Sequence, residues 1–282
     1  MVIDFHTHIF PPTFREKRDA FFPQEPAFEA LFGSATARLA GREELLRNME
    51  EQGILRSVIF GFPWEKPEHF RRHNDYIIEA VLKHPDRFTG FCCFSPLSPH
   101  GPEEVRRCLD AGLAGVGELA VYRSGFSKEI IRSLREVMEI CADRNVPVLF
   151  HANEPVGHVY PGKTPVQLNE IYDLLKHYPL NKIVLAHWGG GLFFYSLMKK
   201  EVKEVFTNVW FDTAASPYLY VPQVYRFAGE LLGFEKILFG SDYPLLKPDK
   251  YFREMAEAGL GSEALGMVKG ENAARLLGLS RE

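Results

Sequence analysis

Lys182-Ile183-Val184-Leu185-Ala186-His187 is an apolar run framed by a lysine and a histidine. A strand with one wet face alternates polar and apolar side chains, so an uninterrupted run reads as a strand buried on both faces, as a helix-covered parallel sheet requires. Lys236-Ile237-Leu238-Phe239-Gly240 repeats the pattern. Outward from these two, eight segments rich in β-branched or aromatic residues occur at 2–9, 57–63, 87–95, 114–121, 146–152, 182–188, 208–214 and 236–242. Most are separated by stretches of helical spacing. After Ser127, an N-cap candidate, come Ile130, Ile131, Leu134, Val137, Met138 and Cys141, and 43–49, 74–82, 103–109, 166–175 and 223–232 read similarly.

Eight strand–helix alternations in 282 residues predict an α/β chain folded as a (β/α)8 TIM barrel, a fold of about 250 residues. The competing arrangement, an open doubly wound sheet, needs a glycine-rich phosphate fingerprint after an early strand. Gly189-Gly190-Gly191 follows the sixth segment and lacks that spacing. Without a Ser/Gly linker, repeat or low-complexity tract, residues 1–282 are read as one barrel domain. Residues 11–40 form an insertion after the first strand, with Phe14, Phe21, Phe22, Phe28 and Phe32 among prolines. It is expected either to cap the barrel mouth or to be a peripheral excursion. Residues 262–277 read as a C-terminal helix packing on the outside.

The formal net charge of −4 excludes a whole-molecule basic field for nucleic acid or anionic membrane. The opening segment lacks a basic leader, and no window reaches the length of an apolar membrane span. Cys92, Cys93, Cys108 and Cys141 show no metal or disulfide spacing and are expected to be buried thiols of a cytoplasmic protein.

Chemistry in such a barrel sits at the C-terminal ends of the strands. Asp4-Phe5-His6-Thr7-His8 places two imidazoles on one face of the first strand, about 6–7 Å apart along the backbone. Taken alone, the pair reads equally as metal ligands or as two exposed polar residues. The fourth segment ends in Glu118, the fifth in His151, the sixth in His187 and the eighth in Asp242. A single strand-end histidine is commonly structural, and a single acid commonly caps a helix; five strands ending this way point to one centre. Imidazole plus carboxylate without thiolate suits Zn²⁺ or a related divalent ion with an open position. Such an ion lowers the pKa of bound water and polarises a substrate oxygen. His69, His73, His84, His100 and His177 are expected to be solvated, and His158 lies in the loop after the fifth strand.

The chain resembles the amidohydrolase superfamily along its whole length, in the branch that includes aminocarboxymuconate semialdehyde decarboxylase and several lactonases. The resemblance rests on Asp4-Phe-His6-Thr-His8 with Pro11, Ala186-His187-Trp-Gly-Gly-Gly191, Phe239-Gly-Ser-Asp242-Tyr-Pro244 and Gly270-Glu-Asn-Ala-Ala-Arg-Leu-Leu-Gly278. It implies that His6, His8, His151 and Asp242 meet a first metal, with Asp242 handling the proton. It implies that His187 holds a second metal or acts as base or electrophile beside a single one. Glu118 stands where two-metal relatives carry a bridging carboxylate, and on that ground two ions are favoured over one. A dimer or larger assembly is also implied.

Three functions are weighed. The leading expectation is metal-dependent hydrolysis of a small ester, lactone or amide. The alternative is non-oxidative decarboxylation of an unsaturated or aromatic acid, with Arg15, Arg123 or Lys163 as cationic anchor. The third is a metal-bearing binding module without turnover. The small-molecule substrate is expected to meet Asn153, Glu154, Arg123, Trp188 and Tyr218, with His158, Tyr220 and Trp64 nearby.

Overall fold

A computed structural model describes residues 1–279. The strands β1 (Ile3–His8), β2 (Arg56–Phe60), β3 (Phe88–Cys92), β4 (Gly115–Leu119), β5 (Val148–Phe150), β6 (Ile183–Leu185), β7 (Val209–Asp212) and β8 (Ile237–Leu238) form one parallel sheet in sequential order. Helices at Arg42–Gln52, Pro67–Lys83, Gly101–Asp110, Arg135–Asp143, Leu168–His177, Val224–Leu232 and Pro248–Glu257 surround it, which makes the fold a (β/α)8 TIM barrel. None of the described helices is long and apolar enough to cross a membrane.

The barrel closes where the two ends of the chain meet. Phe5 N donates to Phe239 O at 2.7 Å, Asp242 N to His6 O at 2.9 Å and His8 N to Tyr243 O at 2.8 Å. Asp4, fully buried in this seam, accepts from Ser241 N at 2.9 Å and Ser241 Oγ at 2.5 Å. Burial pushes the Asp4 carboxyl up to about 7, against the pull of those bonds.

Inside, Ile3, Phe5, Val58, Phe60, Phe91, Leu149, Val184 and Leu238 form one apolar cluster with Ala273, Ala274 and Leu276 of the helix Asn272–Leu277. The C-terminal segment therefore seals the interior of the barrel instead of joining the outer ring, and Asn272 Nδ2 holds it to Ile237 O at 2.8 Å. The four cysteines are buried free thiols, as expected.

Two irregularities in the sheet aim the side chains that matter. Between Asp4 and Thr7, β1 carries one residue more than β2, and between Val116 and Leu119, β4 carries one more than β5. Such bulges re-aim a side chain locally. They put His6 and Glu118 into the mouth side of the barrel, beyond interior residues such as Phe5. Gly117 makes the second bulge feasible, since a Cβ at its φ of +130° would lie 2.4 Å from Leu149 O.

The insertion after β1 folds into the short helices Pro12–Glu16 and Pro26–Phe32 joined by 3-10 turns. Phe14 and Phe28 pack on Trp64 at centroid distances of 4.5 and 4.4 Å, and Phe28 also meets Phe62 at 5.4 Å. Buried Glu25 accepts from Glu65 N and Lys66 N and pairs with His69 Nδ1 at 2.8 Å, just before the helix Pro67–Lys83. The insertion thus braces the β2 side of the mouth.

Candidate metal centre

His6 and His8 come from β1, Glu118 from β4, and His151, His187 and Asp242 from the turns just past β5, β6 and β8. Their donor atoms form overlapping groups within 4.8 Å: His6, His8 and Glu118; His6, His187 and Asp242; Glu118, His151 and His187. Glu118 is at the middle. Its Oε1 lies 2.9 Å from His151 Nδ1 and 3.5 Å from His187 Nε2, and its Oε2 lies 3.6 Å from His6 Nε2 and 3.7 Å from His8 Nε2. Asp242 Oδ1 is 3.7 Å from His6 Nε2 and 3.6 Å from His8 Nε2. The side chains of His8 and Asp242 are 17% and 16% exposed while the others are nearly sealed, so the cluster is open to solvent on their side.

Three imidazoles are oriented from behind. His6 Nδ1 meets Asp212 Oδ2 at 2.8 Å, His8 Nδ1 meets Gly61 O at 3.0 Å and His187 Nδ1 meets Ala214 O at 3.0 Å, so each turns Nε2 to the centre. Holding the far nitrogen in this way fixes ring orientation and tautomer. Asp212 does more, since its Oδ1 accepts from His187 N and Ala214 N, both at 3.0 Å. Sequence reading missed Asp212; the signal was there in Val209-Trp-Phe-Asp212, a fully buried acid ending an apolar strand. His187 opens a run of left-handed residues through Gly191, and Gly190 lets it turn, because a Cβ there would sit 2.2 Å from Asn153 O.

The electrostatics express a demand for positive charge. Burial opposes charge on His6, but Asp212 and Glu118 outweigh it and hold the imidazole well above its ordinary pKa. His187 rises to about 9 against the same burial penalty, through Glu118 and Asp242. Burial likewise opposes ionised Glu118, yet His6 and His151 keep its carboxyl well below the usual range. His8 goes the other way, lowered by burial and by His6. The arrangement suits a cation bound among ionised carboxylates and neutral imidazoles.

The expected substrate contacts are placed unevenly. Asn153 is buried and clamps the ends of its loop, its Oδ1 accepting from Thr164 N at 2.7 Å and Thr164 Oγ1 at 2.6 Å. Glu154 pairs with Lys163 Nζ at 2.8 Å and accepts from Tyr160 Oη at 2.9 Å. Trp188 is fully buried, donates to Ser216 Oγ at 3.0 Å and packs on Tyr225. Tyr218 and Arg123 are exposed, and Arg15 pairs with Glu44. Two histidines expected to be solvated are instead buried. His73 accepts from Trp64 Nε1 at 2.9 Å through Nδ1 and donates from Nε2 to Ile9 O at 2.6 Å, and His69 pairs with Glu25. Both lie with Phe70 on the inward face of the helix Pro67–Lys83, where the insertion covers them.

Over 84% of its length the chain is 24% identical to a 2-amino-3-carboxymuconate-6-semialdehyde decarboxylase of Dictyostelium discoideum, covering 75% of that protein. Over 63% it is 25% identical to a gamma-resorcylate decarboxylase of a Polaromonas species, covering 66%. In three dimensions it matches a 5-carboxyvanillate decarboxylase of Novosphingobium aromaticivorans complexed with manganese and 4-hydroxy-3-methoxy-5-nitrobenzoic acid, with a TM-score of 0.78, 14% identity and coverage of 99% and 96%. The activities carried by these names are decarboxylations, and this overturns the expectation of ester, lactone or amide hydrolysis. The physical reason is that a His and Asp cage at strand ends serves either reaction, while the bond that breaks is chosen by loops whose lengths and contacts carry no simple signature. The amidohydrolase family's sequence model matches residues 3–279, and the chain is therefore an enzyme of the amidohydrolase family.

Proposed function

We propose that the protein is a metal-dependent decarboxylase that removes CO₂ without oxidation from an unsaturated or aromatic acid. The observation that carries the reading is the activity shared by both curated relatives, joined to a buried His and carboxylate cage open on the Asp242 side. The donor set fits a divalent ion. His6 Nε2 and His151 Nε2 are buried without a hydrogen-bond partner. The 3.5–3.7 Å separations between imidazole nitrogens and carboxylate oxygens approach the spacing of about 3.3 Å between two ligands held at about 2.0–2.1 Å in a tetrahedral site. His6, His8, His151 and Asp242 would hold one ion, with His187 and Glu118 completing a second site in which Glu118 serves both. Zinc is the sequence-based expectation and manganese the alternative.

When bound, the cation supplies Lewis acidity that holds the substrate's oxygens and draws electron density from the bond to be broken. The protein's residues do the rest. Loss of CO₂ leaves an electron pair on carbon, and a proton must take its place. Asp242, on the open side, is placed to take that proton from solvent and pass it to the carbon. His187, whose Nδ1–H donates to Ala214 O at 3.0 Å, keeps the neutral Nε2 turned to the centre, where it would help hold the cation that meets the substrate's developing negative charge. Phe60, 4.7 Å from the His8 ring and 5.0 Å from the His6 ring, keeps water from the floor.

The test is chelation and reconstitution with zinc or manganese, followed by assay of CO₂ release from 2,6-dihydroxybenzoate, 5-carboxyvanillate and 2-amino-3-carboxymuconate-6-semialdehyde beside a lactone and ester panel. Metal-dependent CO₂ release from at least one acid is expected. Turnover confined to the ester or lactone panel would sink the reading. In Glu118→Gln, bound metal is expected to fall from two ions to one; unchanged stoichiometry would remove Glu118 from the second site.

A further inference from the structure

Three residues past the end of β4, Tyr122 lies against the centre without belonging to the cage. Its ring is 5.7 Å from that of His151 and runs parallel to Phe62, with 5° between the planes and 5.7 Å between centroids. Phe62 is in turn held by Phe28 and Trp64 at 5.4 and 5.1 Å, so the pair forms a braced flat wall. Wedged side chains of this kind lose little freedom when a ligand stacks on them. The Tyr122 hydroxyl makes no hydrogen bond among the described residues. A phenol is ordinarily un-ionised at neutral pH, so the group is a donor there. A flat aromatic face and a free O–H donor, both beside the reacting centre, match one ligand chemistry: a ring that can stack and that carries an oxygen to accept the proton.

We propose that Tyr122 is the specificity-determining residue of this enzyme, stacking with Phe62 along the edge of the substrate and donating its hydroxyl hydrogen to an oxygen substituent on an aromatic carboxylic acid. This rests on the decarboxylase reading and narrows it, selecting hydroxylated ring acids over open-chain unsaturated ones. The relation to the neighbouring elements supports it. The other wall, around Glu154, has its charges spent on one another through Lys163 and Tyr160, and Asn153 is spent on Thr164. Among the described residues, Tyr122 joins a stacked platform to an uncommitted donor beside the cage, whereas the Tyr220 hydroxyl, also unpartnered, has no ring stacked on it.

The experiment uses the metal-loaded full chain and its Tyr122→Phe and Tyr122→Ala variants, with metal content and thermal unfolding checked for each. Calorimetry measures binding of 4-hydroxy-3-nitrobenzoate and 3-nitrobenzoate, which differ by one hydroxyl. Because both probes keep their carboxylate, the cycle of variant against probe cancels its direct contribution. Tyr122→Phe is expected to weaken the hydroxylated probe by about 10-fold and leave the other unchanged, since the platform survives and one hydrogen bond is lost. Tyr122→Ala is expected to weaken both. In turnover of 2,6-dihydroxybenzoate or 5-carboxyvanillate, Tyr122→Phe raises KM with kcat near that of the parent. The proposal is overturned if Tyr122→Phe binds the two probes as the parent does, or if the parent itself binds neither. Should the parent bind through Tyr122 yet release no CO₂ from any acid, the decarboxylase reading fails and the recognition role stands. CO₂ release unaffected by Tyr122→Phe gives the opposite division.

Discussion

At the mouth of the barrel, Glu118 lies buried among the imidazoles of His6, His151 and His187; between β3 and the outer helices, Glu104 lies equally buried beside Cys92 and Cys108, with donor atoms again within 4.8 Å. Residue types alone make both look like metal sites. Glu104, however, is already answered: Arg107 reaches it with Nε at 2.9 Å and Nη2 at 2.7 Å, and Asn74 Nδ2 donates at 2.8 Å. Its negative charge is matched by a guanidinium and its lone pairs are filled, so a cation would find only repulsion there. At the mouth, His6 Nε2 and His151 Nε2 are left without partners, and Asp212 and Glu118 hold the His6 imidazole well above its ordinary pKa against its burial. A buried carboxylate beside His or Cys is therefore no signature of a metal; what distinguishes the two places is whether the lone pairs are committed.

Changes at the mouth should break function with little cost to the fold. His6→Ala removes a proposed ligand and is expected to abolish metal binding and lower activity by more than the roughly 10–100-fold typical of supporting residues. Asp212→Asn, which spares the ligands but loosens His6 and the His187 backbone, is expected to cost about 10–100-fold in metal affinity, read by competition with a chelating dye. If Asp212→Asn binds metal as the parent does, the supporting role assigned to Asp212 is wrong.

Changes at the outer cluster should do the reverse. Arg107→Met strips a counter-ion from fully buried Glu104 and is expected to destabilise the fold by about 1–3 kcal/mol in urea unfolding, less than a fully buried pair because the guanidinium is partly solvated. Metal content per folded molecule should not change; a loss of metal would mean that the two clusters are coupled.

His73 is a third answer to buried polarity, since it stays neutral. Burial drives its pKa down to about 3, while in the unfolded chain it titrates near the ordinary imidazole value of 6.5. Between those values the unfolded state binds more protons, so this contribution is intact above about pH 6.5 and fades as pH falls, by about 1.4 kcal/mol at pH 5.5. His73→Gln should flatten that part of the stability profile; an unchanged slope would show that the imidazole titrates in the folded protein.

Much of this was legible in the residues. Runs such as Ile183-Val-Leu185 read as doubly buried strands once they alternate with helical spacing, and a donor at the end of such a run falls at the barrel mouth. The bulges in β1 and β4 were not legible, because a one-residue slip depends on the partner strand's register and not on composition. Nor was the burial of His73: its helix reads as amphipathic either way, and only the insertion decides which turns are covered. Asp212 escaped because its role is indirect, pointing at a ligand's far nitrogen.

The seam between β1 and the turn after β8 has a consequence for biosynthesis. His6 and His8 are synthesised more than two hundred residues before Asp242, which donates its N–H to His6 O across that seam. At about 5–20 residues per second the early imidazoles wait roughly 10–50 s for their partner. Until Asp242 is made, the imidazoles lack the carboxylate that stands 3.6–3.7 Å from His6 Nε2 and His8 Nε2 in the folded cluster.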